Sequence, residues 1–108
     1  MQKSLTTFII LFSIFSFSQE ITIKGSIKDN KNRSIQNASV SLLDENNDFL
    51  GYDFTNENGL YSISFDKTKN QTIKIEISCL GYKKITQTIN ATNQNLNYQL
   101  DEKIESLQ

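Results

Sequence analysis

From Ile21 onward apolar and polar residues alternate in short runs, broken by polar turns roughly every ten residues, the pattern of an all-β sandwich or barrel. Ile21, Ile23, Gly25 and Ile27 alternate with Thr22, Lys24, Ser26 and Lys28, which predicts a first strand. Asp29 to Asn37 holds one apolar residue, Ile35, and reads as a loop. Ala38, Val40 and Leu42 give a second strand, and Asp44-Glu45-Asn46-Asn47-Asp48 a charged hairpin turn. Leu50 to Phe54 and Leu60 to Phe65 are the third and fourth strands, and Ile73 to Cys79 is the fifth and most regular. Leu80-Gly81-Tyr82 interrupts the pattern, with Gly81 at a bulge or tight turn. Ile85 and Ile89 mark a sixth strand, flawed by Gln87 between them, and Leu96, Tyr98 and Leu100 a seventh.

No helical period of useful length follows residue 20. Strands with one apolar face must bury those faces against one another, so the expected fold is a seven-stranded antiparallel β-sandwich of two packed sheets. Tyr52, Tyr61 and Tyr98 fall in phase with the apolar stripe and are expected in the core, hydroxyls reaching the edge. Tyr82 beside Gly81 is the tyrosine out of phase, and this pair is the candidate partner contact.

The turn Thr55-Asn56-Glu57-Asn58-Gly59 is the sharpest local signal. Gly59 takes a positive φ without steric cost, and Asn56 and Asn58 tolerate the same region and bond their own backbone. Asn58 and Gly59 are therefore structural turn residues, expected to join the third and fourth strands as an antiparallel pair.

The first eighteen residues have a different character. Lys3 supplies a positive start, Phe8 to Phe17 a ten-residue apolar stretch interrupted only by Ser13 and Ser16, and Ser16-Phe17-Ser18 small residues at the −3 and −1 positions of a cleavage site. Such a run rises about 15 Å as a helix, half of a bilayer core, which favours a cleaved leader over a permanent span. Residues 1–18 are thus expected to be a signal peptide, 19–100 one small domain, and 101–108 a polar tail or link.

Without Lys3 the chain carries ten basic and twelve acidic residues. No basic stripe appears, which argues against a nucleic-acid partner. Cys79 is the one cysteine, so no internal disulfide is possible, and its place in the fifth strand reads as a small buried hydrophobe. The twelve asparagines read as a compositional bias. There is no histidine, which removes the usual base for Ser or Cys nucleophiles and the commonest zinc ligand. The Asp44–Asp48 turn lacks the ligand spacing and distal Glu of a calcium loop, and acids spread over turns offer no cleft for glycoside hydrolysis. Lys24 and Asn97 lie on adjacent strands but on the outward face, a poor setting for an isopeptide crosslink. No catalytic residue, metal ligand or cofactor is assigned.

Four segments in order resemble the carboxypeptidase regulatory-like domain, a transthyretin-like β-sandwich. They are Gly25-Ser26-Ile27-Lys28-Asp29, Ala38-Ser39-Val40, Thr55-Asn56-Glu57-Asn58-Gly59-Leu60-Tyr61 and Leu80-Gly81-Tyr82. Two departures stand out: Ser34-Ile35-Gln36-Asn37 replaces a loop usually built on Pro and Gly, and Asn56 stands where Asp is commoner. Members of this family behind a signal peptide are often N-terminal modules of TonB-dependent outer-membrane receptors. The resemblance therefore implies a non-catalytic, monomeric module on the periplasmic face of the outer membrane, with envelope or receptor proteins as partners. A stand-alone secreted or periplasmic module that binds a glycan or a protein is the other expectation.

Overall fold

The computed structural model describes residues 19–67, 69 and 71–104. The expected leader and its cleavage site lie outside these residues, as do residues 105–108 of the expected tail. The described residues form eight strands and no helix. They are β1 (Glu20–Asp29), β2 (Ser39–Leu43), β3 (Phe49–Phe54), β4 (Leu60–Asp66), β5 (Thr72–Ser78), β6 (Ile85–Asn90), β7 (Gln94–Asn95) and β8 (Tyr98–Leu100). One sheet is built on β1, with β4 on one side and β7 and β8 on the other; the second runs β3-β2-β5-β6.

The two-sheet sandwich expected from the alternation is the fold the chain adopts. Ile23, Ile27, Val40, Leu42, Ile75 and Ile77 are fully buried between the sheets, with Tyr61, Ile63, Phe65 and Leu100 closing the core. Burying each large apolar side chain stabilises by roughly 1.5–3 kcal/mol before ordering costs. That burial holds together a chain with no disulfide.

The strand count and pairing differ from expectation at the C-terminal end. The seventh strand is two short ones, and both run parallel to β1. The cause lies at Gly25. A Cβ there would sit 1.7 Å from the Leu96 carbonyl oxygen, so the returning chain presses directly on the β1 backbone. Leu96 N–H donates to the Lys24 carbonyl at 2.8 Å. On either side of this crossing, asparagine amides replace the missing backbone ladder: Asn93 Oδ1 accepts from Thr22 N and Asn97 Oδ1 from Ser26 N. Asn32, Asn37 and Asn47 take positive φ in tight turns. These asparagines have positional roles that a compositional reading misses.

The turn at Thr55–Gly59 does not close a hairpin. β3 pairs with β2 and β4 with β1, so the turn carries the chain from one sheet to the other. Alternation marks both flanking strands correctly but does not say which neighbour each one takes.

β3 also contradicts the inward placement of Tyr52. Leu42 faces Gly51 while Leu43 faces Phe49, leaving Leu50 as the extra residue of a β-bulge. A one-residue bulge inverts the phase of every side chain beyond it. Leu50 and Gly51 therefore both turn toward the core, and Tyr52 and Phe54 face outward at 65% and 53% exposure. Tyr61 is in the core as expected, and Tyr98 is half-buried.

Cys79 lies one residue beyond β5, half-buried against the core rather than inside it. The flawed position Gln87 has a partner across the sandwich, since Tyr98 Oη–H donates to its Oε1 at 2.6 Å. Residues 101–103, directly after β8, pair with residues 81–83. Lys83 N–H donates to the Asp101 carbonyl and Lys103 N–H to the Gly81 carbonyl, both at 2.8 Å, with Glu102 facing Tyr82 in an antiparallel bridge.

Candidate functional site

Three places carry more polar structure than the fold alone requires: the sheet-crossing turn, the loop after β1, and a groove on the outer face of the β1 sheet.

In the turn, Thr55 is buried and fully satisfied. Its Oγ1 accepts from Ala38 N at 2.9 Å and donates to the Ile35 carbonyl at 2.6 Å. Asn56 Oδ1 accepts from both Asn58 N and Leu60 N, a side-chain bracket that closes the turn on itself. Within this turn only Gly59 has positive φ, at 75°, so Asn56 serves through its side-chain oxygen and Asn58 through its backbone N–H rather than through left-handed backbone. A Cβ on Gly59 would also lie 2.7 Å from the Ile27 carbonyl. Asn58 and Gly59 are thus placed as turn residues.

Asp29 ends β1 with its side chain buried, and one oxygen accepts from the Lys31 and Arg33 backbone N–H groups at 2.8 and 2.9 Å. Arg33 Nε donates to the other oxygen at 2.8 Å. The Arg33 backbone N–H leads in holding this carboxyl below the ordinary range, against the opposing effect of burial, with Lys31 N–H and the Arg33 side chain assisting. Burial pushes the Tyr61 phenol upward, with nearby Tyr98 adding to it, and burial alone raises Tyr98.

Gly81 and Tyr82, the candidate partner contact, are occupied by the chain's own residues 101–103 on their backbone. Tyr82 is half-buried against the core. Tyr82 is thus bridged by Glu102 of the same chain.

The groove has a volume of about 560 Å³. β1 supplies Lys24 and Ser26, β4 supplies Leu60 and Ser62, and Asn95 and Asn97 close the far side. The end of β3 and the crossing turn form the near wall with Asp53, Phe54 and Asn56. Asp53 ties the two sheets at this corner, accepting from Phe54 N at 2.8 Å and from Ser62 N at 2.9 Å. The Tyr52 ring meets the Phe54 ring edge-on, with centroids 5.9 Å apart, which fixes the Phe54 orientation. Lys24 and Asn97 do lie near one another here, but Asn97 Oδ1 is engaged by Ser26 N and Ser26 Oγ. Sequence reasoning missed the groove because the phase inversion at Leu50 hides Phe54 among expected core residues.

This arrangement defines a two-sheet β-sandwich module with a short sheet-crossing turn. A CarboxypepD_reg-like domain family model matches residues 23–108, and the chain belongs to that family. No curated protein matches the chain significantly. Among solved structures it is similar to the catechol 1,2-dioxygenase of Acinetobacter radioresistens, with 12% identity, TM-score 0.64, and 82% of this chain and 53% of that one covered. It is also similar to the shaft pilin SpaA of Lactobacillus rhamnosus GG, with 10% identity, TM-score 0.63, and 82% and 48% covered. For the Bacillus anthracis TIE protein the figures are 13%, 0.61, 77% and 17%. The chain therefore spans about half or less of these proteins, and at such identities the likeness is one of fold.

Proposed function

We propose that this chain is a non-catalytic exported module that acts as the periplasmic N-terminal domain of a TonB-dependent outer-membrane receptor. The observation that carries the reading is a carboxypeptidase regulatory-like sandwich directly behind a leader with the charge, apolar run and small residues of an export signal. The polar groups of the fold support a structural role. Thr55 spends its side chain on backbone groups, and Asp29 fastens a loop rather than facing a reactant. With no histidine in the sequence, proton transfer at neutral pH has no ready carrier.

The paired segment 101–103 leads the chain away beside the β5–β6 connection, a fixed exit from which a link would start. The coding sequence beyond the Gln108 codon is expected to continue into an energy-coupling segment, a plug and a barrel. In that receptor, deleting residues 21–100 with export preserved should impair uptake or signalling while leaving ligand affinity unchanged. Normal uptake after the deletion, or an immediate stop codon, rejects the receptor role.

A further inference from the structure

We propose that the groove on the outer face of the β1 sheet binds a neutral oligosaccharide, with Phe54 as the stacking platform. The inference concerns a separate surface and holds whether or not the chain is a receptor module. It rests on which hydrogen-bonding capacity the fold leaves open, and on how that capacity is held.

Asn97 Oδ1 takes both Ser26 N and Ser26 Oγ, and Asn56 Oδ1 takes Asn58 N and Leu60 N. Each amide is thereby locked in one orientation, with its oxygen used and its Nδ2 left as a double donor. Among the described residues neither Nδ2 has a partner, and Lys24 Nζ has no ion pair. Asp53 accepts one backbone N–H on each oxygen, so each keeps a lone pair for a ligand hydroxyl. The groove thus offers fixed donors on both walls, an acceptor on one, and an aromatic side chain, Phe54, that is half exposed.

That set selects a ligand class. Lys24 and Asp53 cancel in charge, which disfavours a polyanion and a polycation alike. An apolar ligand would leave the amides and the carboxylate dehydrated and unpaired. An extended peptide would pair with a free sheet edge, whereas along the edge strand β4 the Leu60 and Ser62 N–H groups are already taken by the Asn56 and Asp53 side chains. A saccharide both donates and accepts through its hydroxyls and carries an apolar C–H face that packs on an aromatic ring. Because both amides are held before binding, little ordering cost remains for the ligand to offset.

The test is a titration of the ¹⁵N-labelled full chain with malto-, cello-, laminari- and manno-oligosaccharides to about 10 mM, with oligogalacturonate as the acidic comparison. At least one neutral series should shift the Phe54 and Ser62 backbone signals and the Asn56 and Asn97 side-chain amides. Phe54→Ala should weaken that binding about tenfold or more, and Lys24→Ala by a smaller factor. Leu80→Ala, at an exposed site outside the groove, should leave it unchanged. Phe54 is exposed, and preserved spectral dispersion in Phe54→Ala will show that loss of binding is not loss of fold. Absence of shifts with every neutral series, preference for the acidic one, or binding indifferent to Phe54→Ala each overturns the proposal.

Discussion

Single side chains in this domain close backbone accounts that the strands leave open. Thr55 satisfies the Ala38 N–H and the Ile35 carbonyl at a site where water has no access. Thr55→Val keeps the shape but leaves both groups unpaired, and is expected to cost about 2–4 kcal/mol, read as a lower urea midpoint with unchanged slope. Asp29 gives a pH-dependent counterpart. Its folded pKa lies below the ordinary aspartate value. The stability it contributes is therefore fully present above that value and is lost as pH falls through the lower folded value. Acid titration should loosen residues 30–34 before the core, seen as early changes in the Lys31 and Arg33 amide signals, and Asp29→Asn should abolish that early step.

At the scale of elements, the sandwich was legible and the pairing was not. Alternation located the long strands because each buries one face, and the Gly59 turn was legible because few residues accept its φ of 75°. The phase of Tyr52 and Phe54 was not legible, because the Leu50 bulge leaves no mark in an apolar run. The groove remained hidden for the same reason, and also because Asn97 acts through Ser26, 71 positions away along the chain. Gly25 shows the limit most clearly. In sequence it is a weak position in the first strand, whereas in the fold its missing side chain admits the Leu96 backbone. Gly25→Ala should therefore displace β7 and β8 from β1. Hydrogen exchange is expected to show the Leu96 amide losing protection, and β8 with it, while β2 and β5 stay protected.

Over the whole molecule, two sheets meet through one buried layer, with polar ties at the margins: the Asp53–Ser62 contact at one and the Tyr98–Gln87 contact at another. These ties do not contribute equally. The Tyr98–Gln87 bond is exposed, so Gln87→Ala should cost no more than about 1 kcal/mol. Ile75 stands at the centre of the opposing sheet with no exposed surface, paired beside Leu42 and fixed by neighbours on both sides. Ile75→Ala should cost about 2–5 kcal/mol, against a total of roughly 5–10 kcal/mol expected for a domain of this size. With Cys79 unable to form an internal disulfide, nothing covalent limits the unfolded chain and offsets such a loss. Ile75→Ala should therefore approach the unfolding threshold at physiological temperature while Gln87→Ala behaves nearly as the parent protein. Comparable midpoints for the two variants in thermal unfolding would mean that the margins, not the buried layer, hold the sheets together.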